Sequence, residues 1–194
     1  MSQVSIPLPE IPLTVNDDQF ALIVAENPDL RFELTANGEL IVNPPTGGKT
    51  SQRNLSISAQ LWNWAEVHQS LGVAFESSGG FRLPNGATRS PDASWVKRNR
   101  WDVLKPEQQL GFVPLCPDFV VELRSASDRL DVLQQKMQEY ITNGALLGWL
   151  IDPQSKNVEI YRPGQSVQVL EQPETLSGED VLPGFILQMK RILG

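Results

Sequence analysis

Two carboxylates and one arginine stand near the ends of predicted strands, where side chains of these types can act on a phosphate. Asp92 follows a proline at the start of a predicted strand over residues 90–97. Glu122 and Arg124 lie near the end of another predicted strand over residues 117–124. Residues two apart in a strand share a face, so Glu122 and Arg124 are expected to point to the same side. If the two strands are neighbours in a sheet, Asp92 and Glu122 converge.

A divalent cation would explain why the two acids are placed together. Neighbouring carboxylates repel each other, which raises a pKa, and Mg²⁺ or Mn²⁺ neutralises them because hard cations prefer oxygen ligands. Such an ion activates a water molecule and stabilises charge on a phosphoryl oxygen. The alternative interpretation is that Asp92 and Glu122 are polar residues at strand ends, with Arg124 as a salt-bridge partner of Glu122.

The same residues resemble a known nuclease motif. Pro91-Asp92, followed by Glu122-x-Arg124, is similar to the PD-(D/E)xK motif of the restriction-endonuclease-like superfamily. A longer pattern, from about residue 14 to the C-terminus, resembles the Uma-two family in the segments SPDASWV, PDFVVELRSASDRL, LQQKMQEYITNGALLGWLIDP and VLPGF. The resemblance implies a restriction-endonuclease-like α/β core, dependence on a divalent metal and nuclease activity.

The resemblance also implies roles for individual residues. In the superfamily the Asp and the Glu bind the metal, which makes Asp92 and Glu122 the expected ligands, and a lysine two residues after the Glu assists catalysis. That position holds Arg124, which stays charged and can clamp a phosphate but cannot act as a base. The superfamily also relocates this lysine onto a neighbouring helix. Lys136 is then the candidate, because it lies one turn from Tyr140 beside the buried face of a predicted helix.

An early acidic residue is a further ligand implied by the resemblance. The family carries acids in its first hairpin, and Glu33 and Glu39 occupy that region here. The hairpin pattern does not decide between them. Glu39 is favoured, since the predicted turn places it on the face of Phe32, Leu34 and Ile41. An acidic side chain is unexpected on such an apolar face unless it has a function.

The elements that must position these residues form a mixed sheet flanked by helices, of class α/β, with additional N-terminal and C-terminal hairpins. Residues 1–13 are expected to form a Pro-rich arm and residues 14–194 a single domain. The helix after strand 117–124 should cross over to a neighbouring, possibly parallel strand at 146–152. The first hairpin is predicted to turn at Asn37-Gly38, and GVAFESS with GGFRLPN is expected to form a second hairpin or a bent pair of strands. A helix is predicted over about 49–69, with Leu55, Leu61, Trp62 and Ala65 on its apolar face, and another over 128–142. A last hairpin joins 146–152 to VEIYRP.

Two other catalytic patterns are incomplete. The segment Gly47-Gly48-Lys49-Thr50-Ser51 resembles the end of a phosphate-binding loop, but the required earlier glycine is Asn43 and two prolines follow it. A turn that begins a helix is the better interpretation. His68 is the single histidine, and no local motif supports its use in a Ser-His-Asp or Cys-His mechanism.

The net charge of -7 argues against a histone-like or repressor-like protein, because non-specific DNA binders contact phosphates through Lys and Arg. It argues less against a nuclease whose acids bind metal ions.

One cysteine, no signal peptide and no apolar run of roughly 20 residues favour a cytoplasmic protein without a membrane span. The function expected is a Mg²⁺- or Mn²⁺-dependent DNA endonuclease acting as a homodimer. The alternative is an inactive copy of the fold that serves as a nucleic-acid or protein interaction module.

Overall fold

The computed structural model describes residues 12–194, so most of the predicted arm over residues 1–13 lies outside the described residues. The helices are α1 (Asp17–Glu26), α2 (Gly48–Val67), α3 (Arg98–Trp101), α4 (Pro106–Leu110), α5 (Leu130–Thr142) and α6 (Lys190–Leu193). The strands are β1 (Arg31–Leu34), β2 (Leu40–Asn43), β3 (Gly72–Glu76), β4 (Phe81–Arg82), β5 (Thr88–Arg89), β6 (Ala93–Lys97), β7 (Phe119–Leu123), β8 (Leu147–Asp152), β9 (Asn157–Tyr161), β10 (Gln168–Glu171), β11 (Thr175–Ser177) and β12 (Ile186–Gln188).

Six strands form the main sheet, in the order β10-β9-β8-β7-β6-β3. β7 and β8 are parallel and are joined through α5, whereas the other neighbouring pairs are antiparallel. A crossover helix is needed there because a tight turn cannot join two parallel strands. This arrangement confirms the predicted crossover, and it confirms that strand 90–97 pairs with strand 117–124.

The register between β6 and β7 positions the two acids that the sequence singles out. Ala93 lies opposite Val121, and one further step along this register brings Asp92 opposite Glu122. Residues that face each other on antiparallel strands have Cβ atoms about 4.5–5.5 Å apart. The predicted convergence of Asp92 and Glu122 therefore follows from strand pairing alone.

The two long helices cover opposite faces of β7, whose five residues are all buried. Phe119, Val121 and Leu123 pack in the same core as α2, whereas Val120 packs in a second core with α5. Each fully buried side chain of this kind stabilises the fold by about 1.5–3 kcal/mol. Glu122 follows the same alternation as Val120 and so points towards α5.

The predicted apolar face of helix α2 is correct only in part, because Leu61 and Ala65 are buried as predicted but the other two residues are not. Leu55 and Trp62 are exposed, whereas Ile57 and Trp64 are buried against the sheet. Both sets of residues have helical spacing, so periodicity could not distinguish them. The helix begins at Gly48, which confirms that the GGKTS segment is a turn and helix start.

A second sheet, in the order β2-β1-β5-β4, holds the early acidic residues. The predicted two-residue turn of its β1–β2 hairpin is wrong. The Thr35 amide donates to the Glu39 carbonyl at 3.0 Å, which leaves a three-residue loop. Gly38 closes this loop at φ 82°, a conformation that glycine adopts without steric cost.

Both predicted strands over GVAFESS and GGFRLPN are present, but they do not form a hairpin, because they belong to different sheets. β3 pairs with β6 in the main sheet, whereas β4 pairs with β5 in the second sheet. The hairpin from β8 to β9 and a C-terminal hairpin, β11 with β12, are confirmed. Among residues 12–194, no helix combines the length and the apolarity that crossing a bilayer would require.

Candidate active site

Glu122 is a buried acid with two hydrogen-bond donors on one of its oxygens. Its Oε1 accepts from the Tyr140 hydroxyl at 2.9 Å and lies 2.9 Å from Lys136 Nζ. Both partners come from α5, one helical turn apart, because β7 points Glu122 at that helix. Burial raises the pKa of Glu122 to about 7, and the nearby Asp92 and Glu33 charges add to the rise, while Lys136 opposes it.

Asp92 is held by a strand and a helix at once. Its Oδ2 accepts from the Leu123 backbone amide at 2.8 Å, and its Oδ1 accepts from Asn54 Nδ2 at 2.9 Å. The first contact joins β7 to the residue preceding β6, and the second comes from α2. Burial raises the pKa of Asp92, although the Leu123 amide and Lys136 partly offset the rise.

Lys136 connects the early hairpin to the acid pair. Its Nζ lies 2.9 Å from Glu33 Oε1 and 2.9 Å from Glu122 Oε1, and its side chain is 13% exposed. Burial opposes the ammonium charge, but the two glutamates raise the pKa of Lys136 above its usual value. Lys136 therefore stays protonated at neutral pH. The structure places the predicted helix lysine beside Glu122.

Glu33 is fixed by two cations. Besides Lys136, it accepts from Arg89 Nη1 at 3.2 Å and from the Ser90 amide at 3.2 Å. Arg89 in turn pairs with Glu139 of α5 at 2.6 Å. Burial would raise the pKa of Glu33, but Lys136 and Arg89 together hold it below its usual range. Glu33 therefore remains ionised and anchors Lys136.

Glu39 does not reach this cluster. The prediction that Glu39 shares a face with Phe32 is wrong, because the register pairs Glu33 with Ile41 and Phe32 with Val42. Glu39 thus lies on the opposite face from Phe32, and it is exposed. Of the two early acids, the structure brings only Glu33 into contact with Lys136.

Arg124 also lies apart from the acid pair. Its Nη1 donates to Asp152 Oδ2 at 2.9 Å, and its Nε donates to the Asp128 carbonyl at 3.2 Å. β7 ends at Leu123, so the strand alternation that would align Arg124 with Glu122 stops one residue too early. Arg124 therefore ties the end of β7 to β8 and to the loop before α5, and it does not pair with Glu122.

The cluster has more negative than positive charge. Four carboxylates meet two cations, which leaves an excess of two negative charges. The carboxylates are those of Glu33, Asp92, Glu122 and Glu139, and the cations are Lys136 and Arg89. Lys136 is shared between Glu33 and Glu122, and Asp92 is paired with no cation among the described residues, so with all four acids ionised the cluster is not neutralised. A divalent cation would neutralise it.

The oxygen atoms of Asp92 and Glu122 suit a small divalent ion, although two acids alone would leave most of its coordination positions to other ligands. Within residues 12–194, no group of three or more His, Cys, Asp and Glu side chains is arranged to hold a metal. One further oxygen lies beside Asp92, because Asn54 Oδ1 is buried and has no hydrogen-bond partner among the described residues. Carboxylate and amide oxygens are ligands that Mg²⁺ and Mn²⁺ accept.

These groups open into a large cleft of about 1380 Å³, bounded by the second sheet, α2 and the loop before α5. Its lining includes Asn54, Asp92, Glu122 and Lys136. The volume exceeds the roughly 300–1,000 Å³ typical of small-molecule pockets. The cleft therefore has room for a polymeric substrate.

Sequence reasoning missed the contacts of four residues of this cluster, Asn54, Arg89, Glu139 and Tyr140. The spacing of Tyr140 from Lys136 marks their shared helix face, but it does not by itself indicate the contact of Tyr140 with Glu122. Arg89 and Asn54 gave no local signal, because their contacts with Glu33 and Asp92 join residues far apart in the chain.

Comparisons with known proteins identify a family and a similar fold. The model of the Uma2 family, described as "Putative restriction endonuclease", matches residues 17–190. A crystal structure described as a "putative nuclease belonging to DUF820", from Anabaena variabilis, is similar with a TM-score of 0.69 and 22% identity, over 84% of this chain and 89% of that one. The likeness shows a restriction-endonuclease-like α/β fold. No curated protein matches the chain.

Proposed function

The chain belongs to the Uma2 family, whose members are described as putative restriction endonucleases, and from this premise we propose that it is a divalent-metal-dependent endonuclease that hydrolyses DNA phosphodiester bonds. One observation carries the proposal. Asp92 and Glu122 meet at the ends of neighbouring strands, in an open cleft, with Lys136 bound to Glu122.

Asp92 and Glu122 would hold the metal, which we propose to be Mg²⁺ or Mn²⁺. When bound, such an ion supplies an activated water and neutralises charge on a phosphoryl oxygen. The protein contributes a fixed donor set. The Leu123 amide and Asn54 orient Asp92, while the Tyr140 hydroxyl and Lys136 occupy Oε1 of Glu122. The other Glu122 oxygen accepts no hydrogen bond from the described residues.

Lys136 acts as a charged donor in this proposal. An ammonium group has three N–H donors, and two of them point to Glu33 and Glu122. The third is available to a phosphate oxygen or to the attacking water in the cleft. Because its pKa is raised, Lys136 holds its proton and does not serve as the base. Arg124 has no part in the proposed reaction.

An inactive interaction module is the alternative, because Arg124 occupies the position of the motif lysine. Against it, Lys136 lies 2.9 Å from Glu122, so a lysine is present beside that acid. The acidic net charge of -7 remains, and it fits a protein that approaches a polyanion through metal ions.

Cleavage of plasmid, single-stranded and structured DNA in Mn²⁺ or Mg²⁺ tests the proposal. We expect Asp92→Ala and Glu122→Ala to abolish cleavage, and Lys136→Ala to slow it by roughly 10²–10³-fold, because fixed charge at a phosphate is removed. Glu107→Gln is the matched control, since Glu107 is exposed on α4 and should leave the rate unchanged. Wild-type protein that cuts none of these substrates, or no better than Asp92→Ala, would favour the interaction module.

We further propose that the enzyme is a cytoplasmic homodimer, because two active sites can cut both strands of a duplex. Light scattering on the preparation used for cleavage should give twice the chain mass of 21.6 kDa. A mass of one chain at the assay concentration would contradict the dimer and leave the active-site proposal standing.

A further inference from the structure

Asn54 has two amide atoms in different situations, both beside Asp92. Its Nδ2 donates to Asp92 Oδ1 at 2.9 Å, which fixes the orientation of the amide, since the opposite orientation would set two oxygens against each other. Its Oδ1 is buried and accepts no hydrogen bond from the described residues. An unsatisfied buried oxygen costs about 1–3 kcal/mol, so such an atom normally has a water or an ion as its partner.

Asn54 Oδ1 differs in its position from the other buried polar atoms that have no hydrogen-bond partner. Among the described residues these are Ser94 Oγ, Trp95 Nε1 and Trp149 Nε1. The two indole nitrogens are donors and cannot bind a cation, and none of the three residues lines the cleft. Asn54 does line it, together with Asp92 and Glu122.

Helix α2 holds Asn54 rigidly against Asp92. Ile57 and Leu61 are three and seven residues further along the helix, and both are buried against the face of β7 that carries Phe119 and Val121. Residues at this spacing form one stripe, so Asn54 continues the stripe of α2 that faces the sheet. A side chain carried by a packed helix is held more precisely than one on a loop.

We propose that Asn54 is a third ligand residue of the metal site. Its Oδ1 supplies a neutral oxygen beside the carboxylate of Asp92, in the cleft that Glu122 also lines, while its Nδ2 orients Asp92. An amide oxygen completes the site without adding a third negative charge to a cluster that already has an excess of two. This inference rests on the proposed metal-dependent function.

Metal titration by calorimetry tests the inference without any cleavage assay. We expect Asn54→Ala to weaken Mn²⁺ binding by at least about 10-fold, as loss of a ligand or its support commonly does. Alanine is the strongest helix former, so the variant should fold, and circular dichroism checks this. Asn63→Ala is the matched control, because Asn63 is an exposed asparagine of the same helix and its Mn²⁺ affinity should equal that of the wild type.

A cysteine at the same position separates ligation from orientation. A thiolate favours soft ions over Mg²⁺. Asn54→Cys should therefore bind Cd²⁺ at least as tightly as the wild type while losing about 10-fold or more in Mg²⁺ affinity. Equal losses for Cd²⁺ and Mg²⁺ would overturn the ligand role and reduce Asn54 to a residue that orients Asp92.

The outcomes distinguish this inference from the proposed function. If Asn54→Ala binds Mn²⁺ like the wild type, Asn54 is not a ligand, and the Asp92–Glu122 site stands. If the wild type binds neither Mn²⁺ nor Mg²⁺, both ideas fail. If Asn54→Ala does not fold, Asn54→Ser takes its place, with the same expected loss of Mn²⁺ affinity.

Discussion

Glu122 and Glu33 both contact Lys136, yet their pKa values move in opposite directions. Glu33 has a second cation, Arg89, and the Ser90 amide, and these outweigh the effect of its burial. Glu122 has only Lys136 as a cation and faces the negative charge of Asp92, so burial prevails and its pKa rises to about 7. The difference indicates separate roles: Glu33 stays ionised and holds Lys136 in place, whereas Glu122 is the proposed metal ligand.

The raised pKa predicts how metal binding depends on pH. A proton and a metal ion compete for Glu122, so Mn²⁺ affinity should fall by up to about 10-fold per unit as pH drops below about 7. Calorimetry across this range measures the slope. Affinity that stays constant down to about pH 5 would show that Glu122 is not a ligand or that its pKa is not raised.

Stability without metal should change with pH in the opposite sense. The folded state holds the Glu122 proton more tightly than the unfolded chain, so between the ordinary value of 4.5 and about 7 folding takes up a proton. The free energy of unfolding should therefore fall by a few kcal/mol at most as pH rises through this window. Glu122→Gln should lose less stability over the same window, as measured by urea denaturation in chelator. Equal losses would contradict the shift.

Individual site residues could be predicted only as far as strand and helix geometry fixes them. Asp92 and Glu122 were predictable because strand pairing alone brings them together. Lys136 was predictable from the resemblance and its helix position. Arg124 was misplaced because the end of β7 at Leu123 cannot be read from alternation. Asn54 was missed because nothing local marks a contact with a residue far along the chain.

At the scale of elements, the strands and helices of the core were predicted better than the face that α2 turns to the sheet. The strands over 119–123 and 147–152 and the helix between them were predicted, because continuous apolar runs and helical spacing are strong signals. The face of α2 was predicted only in part, since Leu61 and Ala65 are buried but Leu55 and Trp62 are exposed. Its sequence carries apolar residues on several sides, and only packing against the sheet decides which of them are buried.

Two alanine substitutions in α2 test which face packs on the sheet. Ile57 is 1% exposed and Leu55 is 69% exposed. Ile57→Ala should lower the free energy of unfolding by about 2–5 kcal/mol, whereas Leu55→Ala, the matched control, should change it by at most about 0.5 kcal/mol. Chemical denaturation measures both. A larger loss for Leu55→Ala would mean that the helix is rotated and that Asn54 does not face Asp92.

At the scale of the whole molecule, the site lies where two sheets and two helices meet. β1 brings Glu33, β7 brings Glu122, α5 brings Lys136 and α2 brings Asn54, so no single element carries the chemistry. The net charge of -7 would repel DNA at long range. If the proposed function is right, metal binding is a condition for substrate binding as well as for reaction.

A crystal soaked in Mn²⁺, with the anomalous signal measured, tests the central claim most directly. We expect one strong peak within coordination distance of Asp92 and Glu122, about 2.0–2.3 Å from their oxygens, with Lys136 close by but not bound to the ion. The peak should vanish in Glu122→Ala crystals soaked in the same way. A peak elsewhere, or none between Asp92 and Glu122 at saturating Mn²⁺, would contradict the account.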